Sequence, residues 1–152
     1  MIQAMPRFNY VRLSQLAYQL RMGPKELRQR EIERAEDLLA DIDEGKEYPF
    51  EFVYHRITAT QTPQSRRTAK PQMLAGRGLL ADVSSLILIL SNSLSLKLAD
   101  LHEEATPLED LAAEVSVSTK TISRWRKRGL AARKVIFPDG RRRLVFLSSS
   151  LR

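Results

Sequence analysis

The sequence predicts a mainly α-helical protein that closes with a β-hairpin, and three observations predict it. Apolar residues recur at helical spacing in four separate stretches. Segments rich in β-branched and aromatic residues flank Pro138-Asp139-Gly140, a turn signal, near the C-terminus. Positive charge is confined to one end: residues 119–152 hold eleven Lys or Arg against one acid, Asp139, whereas residues 1–118 hold fourteen against seventeen acids. The 152 residues suffice for one medium domain or two small ones, and 43% apolar content allows a modest core. A net charge of +7 favours a polyanionic partner, and its confinement is what is expected if only the C-terminal segment faces phosphate.

Taken in order, residues 8–22 place Leu13, Leu16, Ala17 and Leu20 on one helical face. Gly23-Pro24 breaks that pattern, and Pro24 suits the first position of a new helix. From Lys25 to Ile42, the residues Leu27, Ala35, Leu38, Leu39 and Ile42 again keep helical spacing. Four bases against eight acids across 25–44 make the exposed side of this helix negative. The aromatic stretch Tyr48-Pro49-Phe50-Glu51-Phe52-Val53-Tyr54 reads as a short helix, because Pro49 suits a first turn, with an extended piece as the alternative. It is expected to form a satellite core cluster. Residues 58–72 are polar with two prolines and read as a flexible linker, whose Arg66, Arg67 and Lys70 are either solvated or touch a nucleic-acid backbone. Leu79–Leu101 follows as a long helix. Its Asp82, Asn92, Lys97, Asp100 and five serines fit a buried or amphipathic helix rather than a membrane span. The expected organisation is a helical region at 1–57 with a helix-turn-helix-like hairpin, the linker at 58–72, a long helix within 73–104, and a DNA-binding domain at 105–152.

In that last part, Thr106, Pro107 and Glu109 have the spacing of a capping box opening a helix. Leu108, Leu111, Ala112 and Val115 lie on one face, and small Ala112 allows a second helix to cross closely. Ser116-Val117-Ser118 forms the turn, with Val117 inward and Ser118 capping a helix over Thr119–Arg128 that Gly129 ends. At about 100° per residue, Ile122 and Trp125 share one side, so Trp125 is expected in the core rather than as a stacking platform. Lys120, Ser123, Arg124 and Lys127 cluster opposite, flanked by Arg128. This division suits a recognition helix, one face docked and the other in the major groove of duplex DNA. Arg124 is the candidate for a bidentate guanine contact, with Lys120 and Ser123 beside it. Thr119, Lys127 and Arg128 are candidates for phosphate, and Ser118 completes the set. Lys134–Leu147 reads as a β-hairpin wing that carries Arg141, Arg142 and Arg143 at its tip, toward the sugar-phosphate backbone or minor groove. The whole is a winged helix-turn-helix. Ser148-Ser149-Ser150 could cap another helix, but the sequence ends two residues later, so the chain is expected to be the front of a longer protein.

Sliding this motif back 95 positions gives a partial second copy: Leu13, Leu16, Ala17, Leu20, Met22 and Leu27 fall where Leu108, Leu111, Ala112, Val115, Val117 and Ile122 fall later. Arg30 replaces Trp125 and the second helix is acidic, so this hairpin is expected to lack a DNA-reading face. A protein-contact role and an ordinary helical hairpin both remain open for it. The absence of cysteine excludes disulfides, thiolate metal sites and a Cys nucleophile. His55 and His102 stand apart from any paired carboxylates, so neither an enzyme nor a cofactor is expected. The opening MIQAMPRFNYVR carries charge and Pro where a signal peptide needs an apolar run, which makes the cytosol or nucleoid the expected location.

The block Val117-Ser118-Thr119-Lys120-Thr121-Ile122-Ser123-Arg124-Trp125-Arg126-Lys127-Arg128-Gly129-Leu130, with the arginine-tipped hairpin after it, resembles the winged helix-turn-helix of the MerR/excisionase type. Leu16-Ala17, Glu33–Leu39, Tyr48-Pro49-Phe50, Arg56-Ile57-Thr58 and that block together are similar to the N-terminal portion of sigma-70-like RNA polymerase sigma factors of planctomycete-type bacteria. The resemblance implies DNA binding in transcription initiation, with core RNA polymerase as a second partner. The sigma core that grips polymerase and melts the promoter is not recognisable here. The chain is therefore expected to be a fragment or truncated relative, and promoter melting is not implied. The alternative is a stand-alone regulator or architectural DNA-binding protein, and an accessory nuclease or recombinase is the third, least supported class.

Overall fold

The computed structural model describes residues 7–61 and 70–151. These form six α-helices: α1 (Val11–Leu20), α2 (Lys25–Asp41), α3 (Phe50–Thr58), α4 (Gly76–Ser93), α5 (Leu108–Glu114) and α6 (Thr119–Lys127). Five short strands accompany them, β1 (Glu47–Pro49), β2 (Met73–Ala75), β3 (Ala105–Pro107), β4 (Arg133–Ile136) and β5 (Arg142–Leu147). β1 and β2 make a two-stranded antiparallel sheet, and the second sheet is antiparallel with the order β3-β5-β4. The protein is mainly helical with these two small sheets.

The arrangement follows from α4. A helix that is apolar nearly all round has to be surrounded, and Leu79, Leu80, Val83, Leu86, Ile87, Ile89 and Leu90 are all buried. α1, α2, α6 and β4 pack around it. The principal core gathers Leu13, Ile32, Leu38, Val53, Ile57 and Leu74 with Val135 and Val145 of the C-terminal sheet. A smaller core joins Leu111 and Ala112 of α5, Ile122 of α6, Ala132 and Phe146. The buried polar groups of α4 serve as fastening points. The Asp82 carboxylate accepts from the backbone N–H groups of Asn9 (2.7 Å) and Tyr10 (2.9 Å), capping α1 from a neighbouring helix. Ser91 Oγ accepts from Lys134 N (3.0 Å), tying α4 to β4. α4 begins with Gly76 because a Cβ there would collide with the Asp43 carbonyl, and Gly76 N donates to Lys46 O at 2.7 Å.

Several expectations change. The long helix stops at Ser93 and gives way to a 3-10 turn at Leu98–Asp100, since Leu96 and Lys97 engage β4 instead: Ile136 N donates to Leu96 O at 2.7 Å. Pro24 and Pro49 cap their helices rather than occupying the first turn, each with the extended ψ that a residue preceding a helix takes. The Thr106 capping box does not form. Pro107 precedes α5 without a side-chain cap bond, because Ala105–Pro107 pairs with Leu147, Phe146 and Val145 as a third strand. Around the expected linker, Thr58 ends α3 and Gln72 O accepts from Phe50 N at 2.9 Å. Lys70 is exposed, while Arg66 and Arg67 lie outside the described residues. The second-copy hairpin also departs from its expected form: Met22 is 85% exposed, and α1 and α2 each pack on α4.

Candidate nucleic-acid interface

The polar face of α6 is built from local signals. Ser116 takes a left-handed backbone (φ 58°) that reverses the chain after α5, and Val117 N donates to Ala112 O at 3.0 Å to close the turn. Ser118 then caps α6, its Oγ accepting from Thr121 N at 3.1 Å. At the far end Gly129 has φ 114°, a conformation that side chains disfavour, and Leu130 N donates back to Trp125 O at 3.1 Å. Ile122, fully buried, anchors the helix against Leu111 and Ala112.

Ser118, Thr119, Lys120, Arg124, Lys127 and Arg128 are exposed, and Ser123 is half-buried between them. Lys120, Arg124 and Lys127 recur at intervals of four and three residues, so they share one side of α6. None of the three takes part in an ion pair among the described residues. Arg128 differs: its Nε donates to Glu44 Oε1 (2.9 Å) and its Nη2 to Glu44 Oε2 (3.4 Å), and this hydrogen bonding holds the Glu44 carboxyl below its ordinary range.

Trp125 is 39% exposed, contrary to its expected place in the core. The reason lies in angle and neighbours. Relative to Ile122, Trp125 sits about 60° to one side and Arg126 about 40° to the other, and α4 lies on the Arg126 side, where Ser84 Oγ donates to Arg126 O at 2.8 Å. Arg126 is thus the inward side chain that the sequence reading missed. Its Nε and Nη1 are shielded from solvent without a hydrogen-bond partner among the described residues, and burial pushes its pKa down.

The hairpin forms as expected, with Arg133–Ile136 facing Arg142–Val145 and a turn in which Gly140 N donates to Phe137 O at 2.8 Å. Its three arginines have different fates. Arg141 is exposed at the tip, 4.0 Å from Asp139. Arg142 alternates to the other face, where Nη1 donates to Asn92 O and Asn92 Oδ1 (both 2.9 Å) and Nη2 to Ser95 Oγ (2.9 Å), fastening the hairpin to the end of α4. Arg143 folds back onto Asp139 (3.2 Å) and the Phe137 ring. The acidic α2 likewise meets the basic segment inside the protein: Arg133 and Glu36 form a two-pronged pair at 2.7 and 2.8 Å, each side chain only 15% exposed.

No helix among the described residues is long and apolar enough to cross a membrane. Comparison with family models, with curated proteins and with solved structures gave no match to this chain.

Proposed function

We propose that this protein binds duplex DNA in a sequence-dependent way through α6, used as the recognition helix of a winged helix-turn-helix whose wing is the β4–β5 hairpin. The carrying observation is the division of α6: Ile122 is fully buried, while Lys120, Arg124 and Lys127 project into solvent on another side without acidic partners among the described residues. A helix about 10–12 Å across fits a major groove about 12 Å wide, and that row of side chains supplies the donors for base edges and phosphates. Arg124 reads guanine, Lys120 and Ser123 flank it, and Ser118, Thr119 and Lys127 hold phosphate. Arg128 joins them on release from Glu44. In the hairpin the backbone contact belongs to Arg141, since Arg142 (2.9 Å) and Arg143 (3.2 Å) are held more closely within the fold than Arg141, 4.0 Å from Asp139.

The expected setting is transcription initiation, as the resemblance to sigma factors implies, in the cytosol or nucleoid. Retention of core RNA polymerase on the immobilised chain supports that setting, whereas DNA binding without retention supports a stand-alone regulator. For the DNA contact itself, selection from a random duplex pool followed by titration across salt is the test. Arg124→Ala should cost roughly 1–3 kcal/mol on the selected site and relax its sequence preference. Replacing Lys120, Arg124 and Lys127 together by Ala should bring affinity down to the non-specific level. Undiminished binding by that triple variant would refute the proposal.

A further inference from the structure

A cavity of about 1230 Å³ among the described residues lies between α4, the last turn of α6 and the segment leading into α1. Its charge is one-sided. Arg7, Arg21, Arg77, Arg126, Lys127, Arg128 and Lys134 line it from five places in the chain; Arg128 is paired with Glu44, which lies outside the lining, and no Asp or Glu is among the lining residues. Its floor is apolar, formed by Ala81, Leu88 and Ile89 on one side of α4 with Leu144 of β5.

We propose that this cavity binds a small phosphorylated ligand with a flat apolar body, of the nucleotide class, and that Arg126 is its innermost anion contact. Three features carry this. The first is the uncompensated guanidinium. A buried charge with no counter-ion is costly, and an arginine cannot escape by losing its proton at physiological pH. Arg126 lines the cavity, and its Nε and Nη1 have no partner among the described residues, so an anion held in the cavity would supply the counter-charge that the fold does not. The second is convergence. Cations from separate elements around a low-dielectric concavity focus their field inward and concentrate anions there. The third is shape. A site walled by helices on an apolar floor suits a compact ligand with a ring system and phosphates. Lys127 borders both the cavity and the exposed face of α6, so a bound ligand would sit beside the proposed DNA contact.

The test is calorimetric titration of the full chain with three probes: ATP, inorganic pyrophosphate and adenosine. ATP is expected to bind more tightly than pyrophosphate, because it adds contact with the apolar floor, and adenosine alone is expected to bind far more weakly than either. Arg126→Met keeps the aliphatic stem while removing the charge, and should weaken ATP by about tenfold or more. Arg126→Lys should restore part of that loss, and Arg141→Ala, at the exposed hairpin tip, should leave ATP binding unchanged. A thermal melt of Arg126→Met no lower than wild type separates lost binding from lost folding. Absence of ATP binding at millimolar concentration overturns the proposal, as does wild-type affinity in folded Arg126→Met. Arg126-dependent binding of single-stranded oligothymidine with none of ATP overturns it too, and reassigns the cavity to a nucleic-acid strand. Lys120 and Arg124 lie outside the cavity lining. Their variants report on DNA alone, so either proposal can fail without the other.

Discussion

Two helix pairs, α1–α2 and α5–α6, can be superposed in sequence with an offset of 95 residues, and the fold treats them differently. In the later pair, Ile122 is sealed against α5; its counterpart Leu27 is 37% exposed. Val117 sits half-buried in its turn, whereas Met22 stands out in solvent. α2 continues for 17 residues and docks through Ile32, Ala35 and Leu39. A similar apolar spacing thus serves a neighbouring helix in one pair and the central α4 in the other. One likeness persists in opposite sign. Glu31 and Arg126 occupy equivalent positions, both are turned inward, and each has side-chain atoms shielded without a hydrogen-bond partner among the described residues. The carboxyl can neutralise itself by taking a proton. The guanidinium cannot shed its charge in that way.

The sharpest way to break this comparison is truncation at the two matched positions. Ile122→Ala should cost roughly 2–5 kcal/mol in denaturant unfolding, as removal of fully buried methylenes does, while Leu27→Ala should cost less than about 1 kcal/mol. Equal losses would mean that the first pair buries its second helix as the later pair does. Next in size is a pH effect. Burial raises the Glu31 pKa from 4.5 to about 7, so the folded protein binds this proton more tightly than the unfolded chain. That contribution to stability is complete below about pH 4.5 and is lost as pH rises through about 7. Glu31→Gln, permanently neutral, should therefore gain on wild type above pH 7 by up to about 3 kcal/mol and show no gain at pH 4. A constant difference across that range would show that Glu31 does not titrate there. The smallest effects separate the hairpin arginines. Arg142→Ala should lower stability by about 1–2 kcal/mol through its lost hydrogen bonds to Asn92 and Ser95, with little change in the salt dependence of DNA binding. Arg141→Ala should leave stability unchanged and reduce the salt slope by about 1. Exchange of these two phenotypes would reverse their assignment.

What could be read in advance follows the range of the interactions that decide each feature. Ser118 at one end of α6, Gly129 at the other and the Pro138-Asp139-Gly140 turn act within a few residues, and each falls where its local chemistry places it. The strand at Ala105–Pro107 was hidden by its own sequence. Thr106, Pro107 and Glu109 match a helix cap, and pairing with β5, 40 residues away, overrides it. Trp125 and Arg126 lie at similar angles from Ile122, so periodicity alone could not choose between them; the position of α4 did. The charge asymmetry pointed to the basic face of α6. It gave no sign that Arg128, Arg133 and Arg142 would find partners within the fold, or that Arg7, Arg21 and Arg77 would converge on one cavity.

The pairing of Glu36 with Arg133 has a consequence in time. The two residues are 97 positions apart, so a ribosome adding about 5–20 residues per second needs about 5–20 s to supply the partner after the first is made. Through that interval the acidic helix is a nascent surface with its counter-charge still untranslated. The principal core is equally incomplete, because Val135 and Val145 emerge in the same late stretch. Closure of this core thus waits on β4 and β5, and the basic segment proposed to meet DNA is also the clasp that closes it.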